Sequence, residues 1–128
     1  MAVPGTIKHQ DAVLTAYRFL DAFNEREPDA LAAVVTDDVE LRTSDGRVWQ
    51  GPDGARALLD AAREAKLRLI PLHRNEHAEE RDGVIWVEIR VRELTEEADV
   101  PRIADFVVRD GDVASFSLRP APYEPGIA

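Results

Sequence analysis

Charged side chains are plentiful in this sequence, but few stand where their type and spacing could move a proton or hold a ligand. There is no cysteine, and there are only three histidines, so thiol nucleophiles, thiolate metal sites and disulfides are excluded. His73, Asn75 and His77 occupy alternate positions, and alternate positions of a strand share a face. His73 is a candidate pocket base or hydrogen-bond donor; otherwise it lines the sheet at a contact between copies. A shared metal is not expected, because residues i and i+4 of a strand stand about 13 Å apart and no third ligand is evident. Tyr17 could donate from its phenol into a cavity, or it could be a core tyrosine with its hydroxyl at the rim. Asp105 is the third candidate. Counting back from Phe106 puts it outside the sheet, while counting from the Asp110-Gly111 turn puts it inside if a bulge intervenes. Trp86, Glu88, Arg90 and Arg92 share another face, suited either to clamping a ligand carboxylate or to pairing two copies through the sheet, with Trp86 as anchor.

The elements that must position these residues follow from periodicity. Val13, Ala16, Tyr17, Leu20 and Phe23, widened by Phe19, form the apolar stripe of a helix that Asp11 is placed to open. Pro28 begins a second, shorter helix with Leu31, Val34 and Val35 on its apolar side, closed by Thr36-Asp37-Asp38. Val39 to Gly51 reads as a β-hairpin turning at Asp45-Gly46, with Trp49 on the return strand. A third helix turns Ala55, Leu58, Leu59 and Ala62 inward.

The second half alternates with a period of two. Leu67 to Glu79 is extended, and Pro71 suggests a bulge or an edge position. Ile85, Val87, Ile89 and Val91 alternate with polar residues after the Arg81-Asp82-Gly83 turn. Arg102 to Arg109 and Val113 to Arg119 form the last two strands. The organisation expected is a flexible arm over 1–10, a single domain over 11–120 and a proline-containing tail over 121–128.

At 128 residues the chain can bury a core without metal or disulfide support. A net charge of −9 argues against nucleic acid, which needs clustered Lys and Arg, and against anionic membranes. No apolar run approaches the roughly 18–20 residues of a membrane span, and the N-terminus lacks the basic start and apolar core of a signal peptide. A cytoplasmic protein without a cofactor is expected.

The order helix, short helix, hairpin, helix and long strands resembles the SnoaL-like group of small bacterial proteins in the nuclear transport factor 2-like superfamily, with its ketosteroid isomerase-like, cystatin-like fold. The residues that carry the likeness are Asn24, Pro28-Asp29-Ala30-Leu31, Thr36-Asp37-Asp38-Val39-Glu40-Leu41, Trp49-Gln50-Gly51 and Ala104 to Val113. The resemblance implies an α+β fold, a cone-shaped, curved antiparallel sheet wrapping three helices from the N-terminal half. It also implies an apolar pocket lined by Phe19, Phe23, Leu41, Thr43, Trp49, Leu58 and Phe106. In the isomerases a base lies where Thr43 stands here, with Asp45 two residues on. Their tyrosine falls at Phe19, two residues after Tyr17, and their second acid falls at Ala104, beside Asp105. The epoxide-hydrolase pattern keeps Arg90 but has Arg92 and Leu118 where acids are required. The expectation is therefore a protein that binds a small, mainly apolar molecule. Two alternatives remain open: a proton-transfer isomerase, dehydratase or cyclase using Asp105, His73 and Tyr17, and a homodimeric interaction module pairing through Trp86 and Arg90.

Overall fold

The computed structural model describes residues 4–121, apart from the side chains of residues 4–7 and 73–75. The elements are α1 (Pro4–Asn24), α2 (Pro28–Ala32), β1 (Val35–Arg42), β2 (Val48–Gln50), α3 (Gly51–Ala65), β3 (Arg68–Arg81), β4 (Val84–Leu94), β5 (Asp99–Arg109) and β6 (Asp112–Pro120). The fold is α+β, as the order of elements implied. The six strands form one sheet in the order β2-β1-β6-β5-β4-β3, and the helices lie over its concave face, α1 mainly on β3 and α3 on β1.

Three details differ from the sequence expectations. Helix α1 begins at Pro4 rather than at Asp11, and a proline suits a first turn whose N–H groups have no intrahelical partner. Residues 36–38 do not close α2. Val35 already belongs to β1, paired with Val113 of β6, so strand pairing overrides the local turn signal. That pairing is also parallel, while the other four are antiparallel; the rest of the chain serves as the long crossover that parallel neighbours need.

The β3–β4 and β5–β6 hairpins turn as their sequences require. Asp82-Gly83 and Asp110-Gly111 have φ of 52°/81° and 52°/85°, the doubly positive geometry of a two-residue turn that matches strand twist. Pro71 marks a real irregularity, since the β3–β4 register shifts between Pro71 and Glu76.

The core sits between sheet and helices. Ile85, Val87, Ile89 and Val91 all point into it, with no more than 7% of their surface exposed. Its centre is a cluster of three rings: Phe19, Phe106 and Phe116 have centroids 4.9–5.4 Å apart. Asn24 then fixes α1 to the sheet. Its side-chain N–H donates to the Leu69 carbonyl at 2.8 Å, and its oxygen accepts from the Leu69 N–H at 2.8 Å. Leu69 is 1% exposed, so water cannot replace either bond. Asn24→Ala should therefore cost about 2 kcal/mol, read as a lower urea midpoint with unchanged slope, whereas a substitution at the exposed Asp21 should not move it.

Candidate functional site

A cleft of ≈210 Å³ opens where the β1–β2 connection meets the C-terminal half of α3. Leu58, Ala61, Ala62 and Ala65 form one wall, continued by Leu67. Their spacing places them on one face of the helix, and the three alanines leave the space that larger side chains would fill. Thr43, Ser44, Asp45 and Trp49 stand opposite, and Glu93 lies at the inner end.

Glu93 continues the inward series of β4 by two residues, and only 7% of it is exposed. Its two carboxylate oxygens are held from different elements. Ser44 Oγ donates to Oε2 at 2.7 Å, and Arg102 Nε of β5 donates to Oε1 at 3.1 Å. Trp49 has the Arg47 guanidinium 4.3 Å from its ring centroid. Its indole Nε1 is buried without a hydrogen-bond partner among the described residues, an arrangement that costs about 1–3 kcal/mol. Asp45 shapes the turn itself, accepting from the Thr43 hydroxyl at 2.5 Å and from the Arg47 N–H at 3.1 Å. Thr43's hydrogen bond is the foremost reason that the Asp45 carboxyl titrates below its ordinary range.

The expected pocket residues divide. Thr43, Trp49 and Leu58 line the cleft, but Phe19, Phe23, Leu41 and Phe106 are closed into the core with 0–1% exposure. Packed phenylalanine rings occupy the interior between sheet and helices, and this cleft opens beside the β1–β2 connection instead.

The expected proton-transfer residues are not assembled into one site. Tyr17 is hydrogen-bonded from α1 to Glu76 Oε2 at 3.3 Å, on the helix side of the sheet. Burial, then the charge and hydrogen bond of Glu76, push its phenol above the usual range, so at neutral pH it is a donor. Asp105 is on the opposite, outer face. Arg119 Nε donates to it at 2.7 Å while Nη2 of the same arginine lies 3.1 Å from Glu88. The bulge that could have turned Asp105 inward exists, but it falls in β6, between the pairs Val107–Ser115 and Val108–Val113, and leaves the alternation of β5 unbroken. The sheet thus stands between Asp105 and Tyr17. The His73 side chain lies outside the described residues. The outer face also carries a shallow recess of ≈240 Å³ containing His77, Trp86, Glu88, Asp105 and Arg119. No group of three His, Asp or Glu side chains suited to a metal ion occurs among the described residues, and no described helix is long and apolar enough to cross a membrane.

Glu93 and Arg102 are the site residues that pattern reading passed over. The signal was available: the parity that buries Ile85 to Val91 reaches Glu93, and that of Val108, Phe106 and Ala104 reaches Arg102.

The sequence model of the SnoaL-like domain matches residues 16–116, which span the core, the cleft and both sheet faces. The chain belongs to the SnoaL-like family. No curated protein sequence matches it. Among solved structures it is similar to a protein of unknown function with a cystatin-like fold from Nostoc punctiforme PCC 73102 (16% identity, 98% of each chain, TM-score 0.73). It is also similar to a protein of ketosteroid isomerase-like fold from Catenulispora acidiphila DSM 44928, solved in complex with trimethylamine (12% identity, 84% of this chain and 85% of that one, TM-score 0.65). A candidate polyketide cyclase from Sinorhizobium meliloti shares 19% identity over 82% of this chain and 93% of its own, with TM-score 0.63. At such identities the likeness shows a common fold.

Two measurements probe how this SnoaL-like chain builds its cleft. Arg102→Met strands the Glu93 carboxylate and should cost about 3 kcal/mol in urea unfolding, whereas adding Glu93→Leu should recover most of that loss. Thr43→Val removes the main donor to Asp45, so the Asp45 carboxyl resonance should titrate at higher pH than in the unsubstituted protein.

Proposed function

We propose that this SnoaL-like domain binds a small, mainly apolar, single-ring organic molecule in the cleft between the β1–β2 connection and α3. The observation that carries this reading is the cleft's composition: an alanine- and leucine-lined wall facing the Trp49 side chain and a buried carboxylate. A mainly apolar concavity with a few fixed polar groups is the general form of a small-molecule site. Its ≈210 Å³ falls below the roughly 300–1,000 Å³ typical of drug-sized ligands, which favours one ring over a fused polycycle. The trimethylamine held by the Catenulispora structure supports the fold as a holder of small organic molecules. Binding is favoured over proton transfer because Asp105 and Tyr17 lie on opposite faces of the sheet.

A second reading concerns the outer face, where Trp86 is 39% exposed beside the Arg119–Glu88 pair. This is the surface on which two copies of the chain would pair, and Trp86→Glu should shift a dimer to monomer in sedimentation experiments.

Ala61→Trp tests the cleft, because it fills the space from a partly exposed helix position. Toluene and anisole at millimolar concentration should raise the melting temperature of the unsubstituted protein. They should leave that of the A61W variant unchanged, with its circular dichroism intact. An equal rise in both proteins would place the ligand elsewhere.

A further inference from the structure

Glu93 is the one charged residue that is buried among the described residues. It opens on the cleft rather than on the apolar core. A carboxylate offers about four lone-pair directions, and two are used here, by Ser44 on Oε2 and by Arg102 on Oε1. Capacity to accept from a further donor therefore remains at the inner end of the cleft. The two partners are not equally fixed. Arg102 comes from the neighbouring strand, with its side chain 23% exposed, and supplies a charge; Ser44 comes from an exposed turn and supplies a neutral hydroxyl. The Ser44 bond is the one that an incoming hydroxyl could replace like for like.

The surrounding charges narrow the class of ligand. Asp45 and Glu93 both line the cleft, against the single guanidinium of Arg47, which lies over the Trp49 ring. Glu93 is already neutralised by Arg102 and Asp45 stands beside Arg47, so an anion finds no net positive charge. A cation would meet the same neutralised Glu93, with Arg47 also lining the cleft. Neither charge sign is matched, whereas a neutral donor is.

We infer that the cleft selects neutral, hydroxyl-bearing single-ring molecules of the phenol type, whose hydroxyl donates to Glu93 in place of Ser44. This rests on the cleft-binding reading above and assigns its substrate class. Ser44 then serves as an internal stand-in for the ligand hydroxyl, keeping Glu93 Oε2 satisfied while the cleft is empty. The apolar wall of α3 takes the ring.

The test uses four probes of one size: phenol, anisole, benzoate and benzylamine. Binding to the full chain is followed by the indole N–H resonance of Trp49, distinguished from that of Trp86 with the Trp86→Phe variant. Phenol should bind about fivefold more tightly than anisole, a modest margin because its charge-assisted bond to Glu93 replaces the one from Ser44, and benzoate and benzylamine should bind more weakly than anisole. Ser44→Ala should tighten phenol several-fold and leave anisole unchanged, because only a donor profits from the vacated acceptor. Glu93→Gln should bring phenol and anisole together and relax the rejection of benzoate. Equal affinity for phenol and anisole in the unsubstituted chain, or tighter binding of either charged probe, would overturn the donor-selective assignment while leaving cleft binding intact. Failure of all four probes to move the Trp49 resonance would remove cleft binding itself and this assignment with it. The S44A arm keeps the result decisive should E93Q fold poorly, and an S44A protein that gains nothing for phenol counts against the exchange.

Discussion

A sheet curved around helices has to fill its concave side, and what fills it determines where a ligand can go. Here the filling is three mutually packed phenylalanine rings from three separate elements, Phe19 on α1, Phe106 on β5 and Phe116 on β6. Aromatic clusters of this kind combine large apolar burial with favourable ring geometry, so the centre of the molecule is a stable place to pack and a poor place to leave empty. The Asn24–Leu69 pair of hydrogen bonds holds α1 down over this cluster. With the interior occupied, the opening is displaced to the mouth of the cone. There α3 presents alanines instead of large side chains, and the β1–β2 connection stands away from them.

The polar groups at that mouth are arranged at some cost to stability. Burying a charge is unfavourable unless it is paired and hydrogen-bonded, and a hydrophobic replacement of a buried ion pair is often at least as stable. The Glu93–Arg102 pair with its Ser44 bond meets the pairing requirement, but the buried Trp49 N–H has no partner among the described residues. Both lie at the same cleft. In the core, by contrast, the neighbouring positions of β4 and β5 are Ile89, Val91, Ala104 and Phe106. Along the inward face of β4 the departure from apolar patterning thus falls where the strand meets the cleft, the kind of local exception that functional sites show.

Much of the fold was legible because period and turn chemistry agree along most of the chain. The inward series of α3 and of β4, the Asp-Gly turns and the irregularity at Pro71 all follow from local rules. Thr36-Asp37-Asp38 carries the local signal of a helix end, and only the non-local pairing of Val35 with Val113 makes it a strand. The site was harder to read for two reasons. The superfamily resemblance points to the positions of Thr43, Ala104 and Asp105, whereas the buried acid of this chain is Glu93, near the end of β4. Whether the cone is hollow also depends on how rings from distant segments meet, and no local pattern reports that. The parity of β4 pointed to Glu93 all the same. Asp105 was ambiguous for want of knowing which strand of the β5–β6 pair carried the bulge.

The two faces of the sheet show why a charge carries different information on each. On the outer face Arg119, Asp105 and Glu88 pair with side-chain exposures of 43%, 21% and 44%, where water and salt weaken the attraction and such pairs contribute little to stability. Many sequences could place charges there without functional consequence. On the inner face every position of β4 from Ile85 to Val91 that points to the helices is apolar, and a charge two residues farther on must be justified by its surroundings. Arg102 balances the charge and Ser44 occupies one further acceptor direction, but neither exhausts the carboxylate. A group placed only to join β4 to β5 would gain nothing from facing an open cleft, since an apolar pair would join those strands equally well. The combination of burial, partial satisfaction and an opening lined by alanines is what the recognition role proposed for Glu93 rests on.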